Sequence, residues 1–173
     1  MLELSTERLR LRRFSTCDLA ACEHLLMDEE VMASSDDGSL SLEEVAAWLA
    51  ERIEEYDRGD GVEVLAVETK SDRQVVGYCG LWRFDDIGGS PEIEIGYRLV
   101  PDVWGIGYAT EAAGAVRDYA FEVLGLKRLV ALIEPVNKRS IRVASKLGMH
   151  YEKDVMMEGY DYPDHLYVLE ADV

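Results

Sequence analysis

Glu92-Ile93-Glu94-Ile95-Gly96-Tyr97-Arg98-Leu99-Val100-Pro101-Asp102-Val103-Trp104-Gly105-Ile106-Gly107-Tyr108-Ala109-Thr110-Glu111-Ala112 carries three patterns in one run. Glu92 to Val100 alternates apolar and polar, the period of a strand with one face on a core. Pro101 ends it, because proline cannot donate to a ladder. From about Thr110 to Leu124, Ala112, Ala113, Val116, Tyr119, Ala120 and Val123 recur at helical spacing, and Gly125 suits the helix exit. The turn between holds two glycines and presents backbone N–H groups at a helix N-terminus, where a phosphate is stabilised. Gly105 and Gly107 admit backbone conformations closed to other residues, and Ala109 keeps the next position small. Thr110 stands where a Rossmann fingerprint needs its third glycine, and no Gly-Lys-Ser/Thr follows for a Walker loop. On spacing alone, an ordinary strand-to-helix turn that requires glycine reads the same way.

Working outward, Leu9 to Phe14 alternates as a first strand. Thr16 and Asp18 can cap a helix through Leu19, Ala20, Leu25 and Leu26, broken by Asp36-Asp37-Gly38. Ser41-Leu42-Glu43-Glu44 is a capping box for a helix bearing Val45, Trp48, Leu49 and Ile53, closed by Gly59. Val62 to Glu68 and Val75 to Trp82 form a hairpin about the turn at Ser71-Asp72-Arg73, and Asp85 to Pro91 is a loop. Leu129 to Ile133 reads as a buried strand. Asn137 caps a helix with Ile141, Ala144 and Leu147 inward and Gly148 at its end. Two strands follow, Met149 to Val155 and His165 to Leu169. The order β-α-α-β-β-β-α-β-α-β-β predicts an α/β (α+β) domain: a mixed sheet of about seven strands with helices on both faces.

Its 173 residues fit one domain, 1–173, with a core of its own. No apolar run reaches the ~20 residues of a membrane span, and the N-terminus lacks a secretory pattern, so a cytoplasmic location is expected. The net charge of −17 argues against nucleic acid, which needs a basic surface. It accommodates a cationic substrate, or simply keeps the chain soluble. Thirteen carboxylates between Asp28 and Glu63 face only Arg52 and Arg58, which reads as an acidic acceptor entrance or a solvated face. Cys17, Cys22 and Cys79 read as small thiols rather than nucleophiles, and His24, His150 and His165 lack metal spacing, so no metal is expected.

The stretch from Trp104 to Ala112 resembles the acetyl-CoA loop of the GNAT superfamily of N-acetyltransferases. It is closest to the RimJ/RimL type, the ribosomal-protein alanine N-acetyltransferases. Thr6 to Arg12 is similar to that branch's first strand, Glu94 to Tyr97 to its fourth, and Asn137-x-x-Ser140-Ile141-Arg142-Val143-Ala144-Ser145-Lys146-Leu147-Gly148-Met149 to its second cofactor helix. The resemblance covers nearly the whole chain and implies an acetyl-CoA-dependent transfer to an amine. Backbone groups of Tyr97, Arg98 and Leu99 would pair with the pantetheine arm. The N–H groups of Trp104, Gly105, Ile106, Gly107, Tyr108, Ala109 and Thr110 would hold the pyrophosphate. Asn137 would lie near the pantetheine and Ser140 near the thioester sulfur, with the sheet splayed between the strands ending at Val100 and Ile133. Trp104 replaces the Gln or Arg common at the first motif position, which shifts the phosphate contacts to backbone N–H groups.

An amine attacks only as the free base, so the reaction needs a base. The strand alternation sets Glu94 opposite Ile93 and Ile95, and the resemblance favours it over Glu92. Glu94 would serve as that base or as a binder of the substrate ammonium; a solvent-facing carboxylate is the bland alternative. The tyrosine that many GNAT enzymes use as general acid is Ala144 here, which leaves Ser140 to donate toward the sulfur. Acceptors compatible with these features are a protein N-terminus, a polyamine or an amino sugar. Tyr160 and Tyr162, in the late loop, read either as lining such a site or as ordinary loop packing. A non-catalytic acyl-CoA-binding module and transfer of another acyl group, such as succinyl, are the competing readings. A homodimer through the strand ends near the C-terminus is compatible with the pattern.

Overall fold

The computed structural model describes residues 2–35, 38–157 and 161–171. Among these residues, eight strands form one sheet: β1 (Glu3–Ser5), β2 (Leu9–Arg12), β3 (Val64–Thr69), β4 (Val75–Phe84), β5 (Glu92–Leu99), β6 (Arg128–Ile133), β7 (His150–Val155) and β8 (Asp164–Glu170), in the spatial order β1-β2-β3-β4-β5-β6-β8-β7. The helices are α1 (Leu19–Leu26), α2 (Leu42–Glu55), α3 (Tyr108–Asp118) and α4 (Lys138–Lys146). The α/β architecture is the one anticipated, with one strand more. β1 is only three residues long, too short for a period to register, and forms a hairpin with β2.

Two helices end earlier than the sequence pattern suggests. α1 stops at Leu26, well before Gly38, because the Asp28 carboxylate accepts from the N–H groups of Glu30 and Val31 and turns the chain. Asp36 and Asp37, expected to break it, lie outside the described residues. The helix after the glycine turn is α-helical to Asp118 and then widens into one π-helical turn, Tyr119–Val123, with Leu124 N–H reaching Tyr119 C=O at 3.1 Å. No helix among the described residues is long and apolar enough to cross a membrane.

Two faces of β4 and β5 organise the molecule. Tyr78 and Trp82 on β4 stand opposite Arg98 and Glu94 on β5. Trp48 of α2 packs on Tyr78, with ring centroids 5.3 Å apart, and Arg98 reaches Met32 after α1. That face belongs to α1 and α2. Ile95, Tyr97 and Leu99 point the other way, toward α3 and α4. The main core fills both sides, and a smaller cluster of Ile87, Val130, Val155, Leu166 and Val168 anchors the loop before β5 against β6 to β8. β5 and β6 are the only parallel neighbours among the described strands, and they pair at a single position, Glu94 with Val130. Beyond it the strands diverge and open a gap in the sheet.

The end of α2 is tied to the first strands by one phenol. Tyr56 accepts from Phe14 N–H at 2.9 Å and donates to Val64 C=O at 2.7 Å, both buried. Tyr56→Phe strands two buried polar groups, so urea unfolding should register a loss of about 1–3 kcal/mol. An unchanged midpoint would mean that water or a shifted backbone satisfies both groups.

Candidate active site

The glycine turn is built by backbone conformation first. Gly105 and Gly107 take φ of 79° and 95°, in the left-handed region, and Gly107 is the N-cap of α3. Two side chains fix the loop. The Trp104 indole N–H donates to Leu99 C=O at 2.7 Å, folding the loop back on the end of β5. Arg8 donates to Ile106 C=O at 2.9 Å and lies over the Tyr108 ring, 4.7 Å from its centroid. Glu111 in turn holds Arg8 at 2.7 Å. Burial opposes that charge, but hydrogen bonds from Thr6 and Arg8 outweigh it and keep the carboxyl below its ordinary range. The Thr6–Arg8 turn as a clamp on this loop was not legible from local spacing, because its partner lies about a hundred residues along the chain.

A groove of about 1000 Å³ runs past this turn. Lining it are Tyr97, Arg98, Leu99, Trp104, Gly105, Gly107, Tyr108, Ala109, Thr110, Asn137 and Ser140. Of the expected cofactor residues, only Ile106 is absent from its wall: between two left-handed glycines its side chain turns to solvent, and its carbonyl is taken by Arg8. The Leu99 carbonyl already accepts from Trp104, which leaves one acceptor site on that oxygen. The groove's opposite wall carries Lys138, Arg139, Arg142 and Lys146 on α4, and Arg139 stacks on Trp104 at 4.5 Å. In a chain of net charge −17 this is a local cationic trough beside a helix N-terminus, a surface suited to phosphates.

A second cavity, about 440 Å³, passes through the gap between β5 and β6. Tyr97, Arg98, Asn137 and Ser140 line both cavities, so the two meet there. Asn137 Oδ1 accepts from Ser140 N–H at 3.1 Å, capping α4 and placing the Ser140 hydroxyl at the seam. The inner cavity has an aromatic wall of Trp48, Tyr78, Trp82 and Phe84, and three carboxylates, Glu94, Glu134 and Asp164. Of the acidic stretch from Asp28 to Glu63, only Glu30 among the described residues lines either cavity. Among its other described members, Glu44 completes the α2 cap, Glu63 pairs with Arg13 and Glu55 with Arg52 and Arg58. Tyr162 is exposed and away from both cavities, and Tyr160 lies outside the described residues.

Glu92 and Glu94 part company here. Glu92 is bound by Arg128 at 3.0 Å. Glu94 faces the cavity and accepts from the Leu132 N–H at 3.1 Å. Desolvation pushes its pKa up to about 7, the Leu132 hydrogen bond opposes the rise, and the charge of Asp164 adds to it. Burial raises the Cys22 and Cys79 thiols as well, which leaves neither as a ready nucleophile.

Residues 8–150 match the family profile described as an acetyltransferase (GNAT) domain. The chain belongs to the GNAT acetyltransferase family. It is 35% identical over 153 residues to the uncharacterized protein YkkB of Bacillus subtilis, covering 88% of each chain. To the uncharacterized N-acetyltransferase YnaD of the same organism it is 28% identical over 169 residues, 96% of this chain and 95% of that one. A GNAT-family acetyltransferase of Bacillus anthracis superposes with a TM-score of 0.83 at 25% identity, covering 98% of both chains. GNAT acetyltransferases draw the acetyl group from acetyl-CoA, and the trough and glycine turn of this GNAT enzyme suit that donor's phosphates.

Glu94 keeps its proton up to about pH 7 in the fold, but only to about pH 4.3 in an unfolded chain. Between those values the folded state binds more protons, so its stability falls as pH rises. Glu94→Gln cannot ionise. Chemical unfolding from pH 5 to 8 should therefore find the wild type losing stability relative to Glu94→Gln. A constant difference would mean that Glu94 is solvated in the fold.

Proposed function

We propose that this enzyme transfers acetyl from acetyl-CoA to a cationic primary amine by direct attack within a ternary complex. The observation that carries the reading is one continuous passage: a basic trough at the glycine turn leads through the gap in the sheet to a carboxylate held near pKa 7. The donor's pyrophosphate fits the trough, backbone edges of β5 freed by the gap suit the pantetheine, and the thioester would enter beside Ser140. Glu94, Glu134 and Asp164 give the inner cavity a negative wall that attracts an ammonium, and the aromatic rings favour a cation over their faces.

Glu94 is then the base. A carboxylate with a pKa near the working pH accepts a proton from the bound amine far better than an ordinary glutamate would. Glu94 first takes a proton from the bound ammonium and passes it to solvent; the free amine then forms the N–C bond, and the tetrahedral adduct loses a second N–H proton to Glu94 as it collapses with cleavage of the C–S bond. Placement of Glu94 on the α1/α2 face and Ser140 on the α4 face separates the entering amine from the departing sulfur. Within the family, the Trp104-to-Thr110 loop and the Asn137-to-Met149 helix support the RimJ/RimL branch, whose acceptors include protein N-termini.

The test is CoA release from acetyl-CoA against peptides beginning with Ala, Ser or Met, against spermidine and against aminoglycosides. One amine class should give acceptor-dependent release. The kcat/KM should rise through an apparent pKa of about 7, with Glu94→Gln lowering the rate roughly a hundredfold and abolishing that limb. Tight acetyl-CoA binding without amine-dependent release would favour a binding module instead.

A further inference from the structure

The tyrosine used as general acid by many GNAT enzymes is Ala144 here, and Ala144 is buried on α4 with no group to donate. A different phenol reaches the same region from the strand. Tyr97 on β5 donates from its hydroxyl to Ser140 Oγ at 3.3 Å. That separation is loose, as catalytic hydrogen bonds often are before a ligand tightens the site. Both residues line the seam where the cofactor groove meets the inner cavity. Tyr97 and Glu94 are three residues apart on one strand, so they address opposite faces of the same gap.

We propose that the Tyr97 phenol, acting through the Ser140 hydroxyl, supplies the proton for the departing CoA thiolate. The inference rests on the acetyl-transfer reading above. As the C–S bond breaks, its electron pair goes to sulfur. The Ser140 hydroxyl proton moves to that sulfur, and the Tyr97 phenol proton moves to Ser140 Oγ. Water entering along the groove reprotonates the Tyr97 phenolate, while both protons shed by the ammonium leave Glu94 for solvent, so each turnover releases one proton net. Tyr97 is a positioning and relaying residue, and Ser140 is the group that meets the sulfur.

Three features support the relay. Ser140 lies in the first turn of α4 with its N–H fixed by Asn137, so its hydroxyl has a defined place and the helix N-terminus favours negative charge there. Burial raises the Tyr97 pKa, which keeps the phenol protonated at neutral pH, while its bond to Ser140 limits the rise. A thiolate expelled into a desolvated gap is more basic than one in water, so it draws a proton more strongly.

Tyr97→Phe retains the ring and removes only the hydroxyl. With the amine identified by the acceptor panel, it should lower kcat about tenfold and leave KM for acetyl-CoA within about twofold. Ser140→Ala should lose at least as much, and the double variant no more than Ser140→Ala alone, since the two act as one unit. A crystal of the wild type with CoA should place the sulfur within hydrogen-bond reach of Ser140 Oγ, with Tyr97 still bonded to that oxygen. Losses that multiply in the double variant, a change confined to KM, or a CoA sulfur out of reach of Ser140 would each overturn the relay. An active wild type with an unimpaired Tyr97→Phe sinks the relay alone. A wild type with no amine-dependent CoA release sinks the acetyl-transfer reading and the relay with it.

Discussion

The structure turns on a ladder that stops. β5 and β6 share one paired position, at Glu94 and Val130, and then separate. Strand edges left without partners carry backbone donors and acceptors that need satisfaction. A sheet that gives up those bonds in its middle does so at some energetic cost, and here the space gained joins two cavities. A ligand with an amide-bearing arm can occupy such an edge as an added strand, so affinity and access come from one geometric departure. The alternation of β5 then gives the gap two chemically different walls, Glu94 on one side and Tyr97 on the other.

Charge is distributed to match. Overall the chain is strongly acidic, yet Lys138, Arg139, Arg142 and Lys146 gather along the cofactor groove. Many of the carboxylates are engaged in holding the fold: Arg128 binds Glu92 and Glu152 across strands, and Arg12 bridges Asp18 and Glu68. Those pairings leave Glu94 distinct, a carboxyl facing a cavity with a backbone N–H rather than a cation beside it. Desolvation without a compensating charge is what raises its pKa into the working range.

The sequence carried the element order because its signals were long and periodic. The β5 alternation, the Ser41 capping box and the Asn137 cap all stand where the pattern put them. Short local features were not legible: the three-residue β1, the Asp28 turn that ends α1, and the π-helical turn after Asp118 each span too few residues to leave a period in the sequence. The same division holds at the site. Gly105, Gly107, Glu94 and Ser140 could be named from local pattern and resemblance, whereas the Arg8 clamp joins residues about a hundred positions apart. Of the two readings of the acidic stretch from Asp28 to Glu63, acceptor entrance or solvated face, composition could not choose, because it says nothing about direction. Its described members mostly face solvent or pair with arginines, and the cavity draws its carboxylates from β5, the segment after β6, and β8.

Acetyl-CoA is proposed to lie along the glycine turn and to enter the gap beside β5. Titrating acetyl-CoA into isotope-labelled protein and following the backbone amides by NMR tests it most directly. Large, saturable shifts at Gly105 to Thr110 and at Ile95 to Leu99, with little change along β1 to β3, are the predicted result. Saturable binding that leaves both segments unmoved, or no binding, would contradict the account.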